Sequence, residues 1–299
     1  MDLQLKKYAA IDIGSNAIRL LISNVILEKD GSPQFKKSSL VRVPIRLGAD
    51  VFTAGSISKE NTKRIIDAMK AFQLLMKIHG VEKYKACATS AMREATNGKE
   101  IAQLVFEKTK VTIDIISGEK EAALISSTDL SELIENEGTY LYVDVGGGST
   151  EFTIFSNGKI HQSKSFKMGT VRLLNQSKSE NKLLFKEAQK WVETHTKEFK
   201  KIALIGSGGN INRIFKMSGR TPGKAISYIY LSAQYQFLKQ LSYKERISEL
   251  SLNPDRADVI VPATKIYLSA MKWSGARKIF VPKIGLSDGI IKGLFYNRF

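Results

Sequence analysis

The sequence predicts an α/β fold made of two related lobes, and three observations support this. A length of 299 residues favours two domains. The first half reads as three antiparallel strands followed by alternating helices and strands, which is typical of an α/β layer with helices on its faces. A short pattern near the N-terminus recurs near the middle of the chain. An internal repeat of this kind indicates that a structural unit occurs twice.

The central copy of this pattern lies between two apolar strands, Thr139–Val145 and Glu151–Phe155. The first strand carries Asp144 near its end and leads into the glycines Gly146–Gly148. Consecutive glycines can take positive φ angles and let the backbone approach a ligand, and the N–H groups of such a turn can hold phosphate oxygens. Asp144 and Glu151 could hold a Mg²⁺ ion that bridges to phosphate. An ordinary tight hairpin with a solvated aspartate is the alternative.

The N-terminal copy spans Ala9–Ile22 and has the same order of strand, aspartate, glycine-led turn and strand. The alignment places Asp12 on Asp144, Gly14 on Gly146, Ser15 and Asn16 on Gly147 and Gly148, and Arg19 on Glu151. Two copies suggest two similar lobes whose turns face each other across a cleft. A polyphosphate or nucleotide tail could then be held from both sides.

The remaining elements of the first half follow from periodicity and turn residues. We predict strands at Ser39–Leu47, Tyr84–Ala88 and Val111–Ile116, a loop at Gly48–Gly55, and helices at Ser58–His79, Ala91–Ala95 and Lys99–Lys108. A helix is expected to begin at Ser117–Gly118 and to run to about Ile134. Glu121 would lie in its first turn, where the helix dipole favours an ionised carboxylate that could deprotonate water. Acidic residues are also common there simply because they stabilise helices.

In the second half, the strand Ile202–Ile205 runs into a glycine-rich loop that contains Gly206 and Gly208 and leads into a helix. A strand followed by a glycine-rich loop and a helix N-terminus is a second kind of phosphate-binding site. The Gly-Lys-Ser/Thr ending of a full P-loop is absent. A lysine-rich helix is predicted at Asn181–Lys200, and a final helix from Ser287 to Phe299 is expected to pack back on the first lobe.

Composition excludes several function classes. The formal net charge of +17 favours a polyanionic partner, although charge alone does not separate polyphosphate, nucleic acid and acidic membrane. No apolar run reaches the length of about 18 residues expected of a membrane span, and the polar start at Met1–Lys7 shows no signal peptide. The single cysteine, Cys87, is expected to be a core residue, and the three histidines have no zinc-site spacing. We therefore expect a cytoplasmic protein with no specific nucleic-acid partner and no membrane partner.

Four ordered motifs resemble the exopolyphosphatase / guanosine pentaphosphate phosphohydrolase family. They are Asp12–Asn16 with Arg19, Ala88–Ala95, Ile116–Gly118 with Glu121–Ala122, and Asp144–Glu151. Weaker similarity continues through Met168–Gly169, the Gly206 loop, Arg256–Ile260 and Gly285–Gly289. The resemblance implies the actin-like (ASKHA) fold, with two ribonuclease H-like lobes around a central cleft. The first lobe would span residues 1–134, with helix 287–299 packed on it, and the second residues 135–286.

The resemblance also implies a chemistry, which is hydrolysis of the terminal phosphoanhydride of a phosphate chain. By residue, it implies Glu121 as the catalytic base and Arg93 as the phosphate-binding arginine, with Asp144 and Glu151 as ligands of Mg²⁺ or another divalent cation. The implied phosphate-binding set is Asp12, Gly14, Ser15, Asn16, Arg19, Gly146, Gly147, Gly148, Ser149, Gly206 and Gly208. Whether the chain forms a homodimer is left open.

Two positions depart from the family pattern. Ala17 stands where the family usually has a hydroxyl residue, and Lys120 stands where many members have a second glutamate. The chain also stops at Phe299, without the helical domain of longer relatives, which leaves digestion of very long chains in doubt. The leading hypothesis is an exopolyphosphatase acting on inorganic polyphosphate, with guanosine pentaphosphate as the rival substrate. The other hypotheses are an actin-like ATPase or sugar kinase, and a non-catalytic sensor of polyphosphate or an alarmone.

Overall fold

The structure is a computed structural model that describes residues 5–28, 31–126, 128 and 138–299. It contains two compact units, Met1–Thr128 with Leu286–Phe299, and Asp129–Gly285. The predicted end of the Ser117 helix near Ile134, and the lobe boundary at residues 134 and 135, lie outside the described residues.

The sheet of the first unit has the strand order β3-β2-β1-β4-β5. Its first three strands are antiparallel, whereas β4 is parallel to β1 and β5 is parallel to β4. The strands are β1 (Leu5–Ile13), β2 (Ile18–Leu27), β3 (Pro33–Val43), β4 (Lys83–Ala88) and β5 (Ile113–Ile115). Ala10 and Ile11 of β1, which lie on opposite faces of the strand, are both fully buried, as expected of a central strand with both faces covered.

Helices cover this sheet, and the chain's last helix belongs to the same unit. They are α1 (Leu47–Ala54), α2 (Lys59–His79), α3 (Ser90–Glu94), α4 (Gly98–Thr109), α5 (Gly118–Ser126) and α13 (Leu286–Phe295). Ser58 caps α2, because its side chain accepts a hydrogen bond from the Asn61 N–H at 3.2 Å. Lys37 of β3 forms an ion pair with Asp288 of α13 at 2.8 Å.

The sheet of the second unit repeats this order, because β8-β7-β6-β9-β11 corresponds to β3-β2-β1-β4-β5. β6, β7 and β8 are antiparallel, β9 is parallel to β6, and β11 is parallel to β9. A short strand, β10, extends the sheet beyond β11. The strands are β6 (Thr139–Val145), β7 (Thr150–Ser156), β8 (Lys159–Phe166), β9 (Ala203–Ser207), β10 (Ile226–Ser227) and β11 (Lys278–Phe280).

Seven helices are described in the second unit. They are α6 (Thr170–Asn175), α7 (Lys178–Thr196), α8 (Gly209–Met217), α9 (Tyr228–Gln240), α10 (Tyr243–Ser248), α11 (Pro254–Ala257) and α12 (Ile260–Ser274). A reciprocal capping box between Ser177 and Glu180 fixes the start of α7. Helix α12 packs one face into the core, where Tyr267 and Met271 are fully buried.

Two predictions for the first unit are wrong. Gly48–Gly55 was expected to be a loop, but the segment forms α1, and only Gly55 acts as the glycine that ends it, with φ of 75°. The third strand begins at Pro33 rather than Ser39 and ends at Val43. Cys87 is fully buried, as expected. Among the described residues, no helix has both the length and the apolar character needed to cross a membrane.

Candidate active site

The turn between β6 and β7 carries two acidic side chains on one face of the sheet. Asp144 and Glu151 are direct partners in the antiparallel register, so their side chains point to the same side. Glu151 is only 2 % exposed, and its Oε1 accepts hydrogen bonds from the hydroxyls of Ser149 at 2.6 Å and Ser165 at 2.8 Å. These two hydrogen bonds fix the position of the Glu151 carboxylate beside the turn.

The carbonyl groups of this turn point into the protein, toward the start of α6. The Gly146 carbonyl accepts from the Thr170 N–H at 3.0 Å, and the Gly147 carbonyl accepts from the Val171 N–H at 2.8 Å. The Gly148 carbonyl accepts from Arg172 Nε at 2.8 Å. Among the residues that the structure describes, no acceptor lies within hydrogen-bond reach of the N–H groups of Gly147, Gly148 and Ser149. The turn therefore presents consecutive N–H donors, an arrangement suited to an anion.

None of the glycines at 146–148 uses the freedom to take a positive φ angle. Close approach is what demands glycine here. A Cβ on Gly169, which precedes α6, would lie 2.3 Å from backbone atoms of Gly148. Helix α6 can reach the turn carbonyls only because Gly169 has no side chain.

The Gly206 loop lies beside Asp144, since β9 is parallel to β6 and Ser207 is the register partner of Asp144. Gly208 has a φ of 120°, and a Cβ there would lie 3.0 Å from the Val145 carbonyl oxygen and 3.6 Å from Asp144 Oδ1. Gly206 has a different reason to be glycine. It lies inside β9, where a Cβ would meet Ile279 Cδ1 at 2.7 Å.

Tyr267 holds this loop through a hydrogen bond, and the sequence analysis does not identify it. Its side chain is fully buried, and its hydroxyl donates a hydrogen bond to the Ser207 carbonyl. Burial raises the pKa of Tyr267 well above its ordinary value, and the nearby Asp144 carboxylate adds to the rise. The only sequence signal was a tyrosine among apolar residues in a helix, which is indistinguishable from a core residue.

The corresponding turn of the first unit has the same backbone arrangement. The Gly14 N–H donates to the Ala17 carbonyl at 3.1 Å, as the Gly146 N–H donates to the Ser149 carbonyl at 3.0 Å. The Ser15 carbonyl accepts from the Gly48 N–H at 2.8 Å, so helix α1 serves this turn as α6 serves the other.

The paired side chains of this turn have opposite charges. Asp12 and Arg19 are register partners, and Arg19 Nη1 lies 3.0 Å from Asp12 Oδ2. Burial raises the pKa of Asp12, and Arg19 partly offsets the rise. The Ser15 hydroxyl contacts the Ser90 hydroxyl at 2.9 Å, which connects the turn to the start of α3.

Arg93 and Glu121 come together at the ends of the next two parallel strands. Arg93 lies in α3 after β4, and Glu121 lies in the first turn of α5 after β5, as predicted. Arg93 Nη1 donates to the Ile116 carbonyl at 2.6 Å and lies 3.8 Å from Glu121 Oε2. Glu121 is only 8 % exposed. The strand order places Asp12, Arg93 and Glu121 near the carboxyl-terminal ends of β1, β4 and β5, which are neighbouring strands of the first unit's sheet.

A divalent cation fits the residues of the second turn. No group of three or more His, Cys, Asp or Glu side chains suited to a metal occurs in the described part of the chain. Mg²⁺ does not need one, since it is usually bound by one or two carboxylates together with water and substrate phosphates. Asp144 and Glu151 supply such a pair next to the N–H donors of the turn.

The model of the Ppx/GppA phosphatase family matches residues 26–297. The chain belongs to this family. A bifunctional 3-dehydroquinate synthase/phosphatase of Fusobacterium nucleatum is 32% identical, with 96% of this chain and 46% of that protein covered. A guanosine-5'-triphosphate,3'-diphosphate pyrophosphatase of Aeromonas hydrophila is 25% identical, with 97% of this chain and 60% of that protein covered. The chain thus spans about half the length of these curated relatives.

Solved structures of the family share the fold. The crystal structure of an exopolyphosphatase from Cytophaga hutchinsonii superimposes with a TM-score of 0.85 and 22% identity, and the match covers 98% of both chains. A Ppx/GppA family member from Aquifex aeolicus gives a TM-score of 0.75 at 24% identity. The fold is therefore actin-like, with a ribonuclease H-like sheet in each unit, as expected.

Proposed function

We propose that the chain is an exopolyphosphatase that hydrolyses the terminal phosphoanhydride bond of inorganic polyphosphate. The observation that carries the proposal is the turn at 146–149. The N–H groups of Gly147, Gly148 and Ser149 have no partner among the described residues, and residues of α6 bind the carbonyls of the three glycines. The Asp144–Glu151 pair lies beside the turn. An N–H cradle next to two carboxylates suits a phosphate–metal complex and has no obvious use in a purely structural hairpin.

The first unit supplies the groups for attack by water. In the proposed reaction Glu121 accepts a proton from water, whose oxygen forms a bond to the terminal phosphorus. The bond from that phosphorus to the bridging oxygen breaks, which releases orthophosphate and a chain one phosphate shorter. Arg93 neutralises charge on the transferring phosphoryl group, since a planar guanidinium can donate to two of its oxygens. A divalent cation held by Asp144 and Glu151 would neutralise charge on phosphate oxygens bound at the turn of the second unit.

The role of Glu121 is tested by Glu121→Ala with Glu119→Ala as its control. Both residues lie in the first turn of α5, but Glu119 is exposed whereas Glu121 is buried beside Arg93. We expect E121A to lower turnover by about 10²- to 10⁴-fold, the usual contribution of a general base. Polyphosphate binding should persist in E121A, and E119A should resemble the wild type. Turnover of E121A equal to that of the wild type would exclude Glu121 as the base.

Guanosine pentaphosphate is the second candidate substrate, and the similarity to the Aeromonas hydrophila pyrophosphatase supports it. Both substrates end in a phosphoanhydride, so the groups named above would serve either. Phosphate release should be compared on tripolyphosphate, long-chain polyphosphate, guanosine pentaphosphate and ATP in the presence of Mg²⁺. Release confined to the guanosine compound would select the alternative, and tight binding with no release from any of them would select a non-catalytic sensor.

A further inference from the structure

A groove of about 610 Å³ runs along the edge of the first unit's sheet, between helix α4 and strand β5. Its apolar wall includes Phe106 and Ile113, and its polar groups include Lys99, Ser117 and Lys120. None of the functions proposed above uses this groove. Its volume is within the range of small-molecule sites, which is about 300–1,000 Å³.

The groove is electropositive. Lys99 and Lys120 both line the groove, and neither forms an ion pair with any described residue. The acidic residue on its wall, Asp114, is already paired with Lys85 at 2.5 Å. A third ammonium, that of Lys110, lies 5.5 Å from the centre of the Phe106 ring. Uncompensated cations around a concave surface concentrate anions there.

Lys120 is exposed, and its ammonium packs on an aromatic ring. Its backbone N–H donates to the Ser117 hydroxyl at 3.2 Å, and its ammonium lies 5.7 Å from the centre of the Phe299 ring. Lys85 packs on the same ring at 5.3 Å, so one aromatic side chain contacts both cations. A cation–π contact restricts the ammonium while leaving its charge available to a ligand.

The groove shares a wall with the candidate catalytic groups. Ile116 lines the groove, and its carbonyl accepts the hydrogen bond from Arg93. Lys120 immediately precedes Glu121 in the first turn of α5. A phosphate chain with one end at Arg93 and Glu121 would therefore have a cationic groove next to that end.

We propose that this groove is a second phosphate-binding site, which holds substrate phosphates distant from the bond that is cleaved. The inference rests on the proposed function for the position of the cleaved end. Two sources fit the same chemistry, the inner phosphates of a polyphosphate chain and the 3'-diphosphate of guanosine pentaphosphate. Lysine suits either one, because it binds phosphate as a compact point charge without demanding a fixed geometry.

The test compares Lys99→Gln, Lys120→Gln and the double variant with Lys108→Gln. Lys108 is exposed on the same helix as Lys99 but does not line the groove, so it controls for a general loss of charge. KM and kcat are measured for tripolyphosphate, long-chain polyphosphate and guanosine pentaphosphate. Binding of long-chain polyphosphate is measured by calorimetry on the same proteins, whether or not they turn over.

We expect the double variant to raise KM for the larger substrates by about tenfold or more, the usual effect of losing hydrogen bonds to a charged group. The KM for tripolyphosphate and the kcat values should change little, and K108Q should match the wild type. A rise for polyphosphate alone identifies the inner chain as the ligand, and a rise for the guanosine compound alone identifies the 3'-diphosphate.

Failure of the groove and failure of the proposed function are distinguishable. A wild type that hydrolyses these substrates, with KM values unchanged in the double variant, overturns the groove and leaves the function intact. A wild type that hydrolyses none of them overturns the function. The calorimetric comparison then decides the groove by itself, since equal binding by wild type, K108Q and the double variant excludes it.

Discussion

The two units carry the same turn with different side chains at one position. In both, a strand carrying an aspartate near its end meets a four-residue turn whose carbonyls are bound by a following helix, α1 or α6. The register partner of the aspartate is Arg19 in the first unit and Glu151 in the second. Asp12 therefore faces an arginine across the strand pair, whereas Asp144 faces a second carboxylate.

This difference in charge suggests that the two turns bind different ligands. An Asp–Arg pair is close to neutral and leaves the arginine to bind phosphate oxygens. Two carboxylates side by side repel each other unless a cation lies between them. We therefore propose that the turn of the first unit binds a phosphate anion and that the turn of the second unit binds a metal–phosphate complex.

The largest expected effect comes from removing the negative charge of the second turn. Glu151→Gln keeps the shape of the side chain but weakens the two-carboxylate site. We expect phosphate release to fall by about 10²-fold or more, since a metal contributes several kcal/mol to transition-state stabilisation. The matched control is Glu187→Gln, a surface change that only removes the partner of Lys164. Affinity for Mg²⁺, measured by calorimetry, should fall in E151Q and not in E187Q.

Gly169 and Gly48 allow α6 and α1 to pack closely against the two turns, and substituting them compares the packing at each turn. In Gly169→Ala the new methyl would lie 2.3 Å from the backbone of the second turn, which cannot move aside easily. In Gly48→Ala the nearest atom, at 2.7 Å, belongs to the Phe52 ring, which can rotate. Overpacking costs about 1–3 kcal/mol, so G169A should reach or exceed this range and G48A should lie at its lower end. Urea unfolding measures both, and equal losses would contradict this account.

Much of this comparison could be predicted from the sequence. The alignment of Asp12 with Asp144 and of Arg19 with Glu151 is confirmed as strand register, because apolar alternation and equal turn lengths fix which residues face each other. The first turn of α5 was also predictable, since Ser117 and Gly118 are typical of a helix start.

The parts that could not be predicted depend on contacts distant in sequence. The prediction of a loop at Gly48–Gly55 is wrong because helix α1 is held in part by the Ser15 carbonyl, which lies on another element. The direction of the turn carbonyls follows from the position of α6, which no local pattern specifies. Tyr267 is 60 residues from the carbonyl that it supports.

Tyr267→Phe tests the hydrogen bond between the Tyr267 hydroxyl and the Ser207 carbonyl, which holds the loop beside the turn of the second unit. The first unit joins its turn to the neighbouring strand end through the Ser15–Ser90 hydroxyl pair, whereas the second uses the Tyr267 hydroxyl on Ser207. Losing this hydrogen bond should cost about 1 kcal/mol of unfolding free energy and lower turnover several-fold. Tyr230→Phe is the control, because the buried Tyr230 hydroxyl has no hydrogen-bond partner among the described residues. Equal effects of the two variants on turnover would show that the Tyr267 hydroxyl does not help to position the site.

The smallest effect is expected from Arg19→Gln, and it depends on pH. Burial raises the pKa of Asp12 above its ordinary value near 3.8, so the native state holds this proton more tightly than the unfolded state does. The contribution of Asp12 to stability therefore falls as pH rises from below that ordinary value through the raised pKa. Arg19 limits the rise in the pKa, and its removal should extend the loss to higher pH.

R19Q should therefore match the wild type in acid, where Asp12 is protonated in both proteins. It should become less stable by about 1 kcal/mol once the pH exceeds the Asp12 pKa of the variant, an estimate reduced because the guanidinium is partly exposed to solvent. Urea unfolding across a pH series measures the difference. In the background Asp12→Asn no carboxyl can titrate at this position, so the pH dependence of the Arg19→Gln effect should vanish. A stability difference that is the same at every pH would show that Arg19 acts through packing, and the contrast between the two turns would then lie in shape and not in charge.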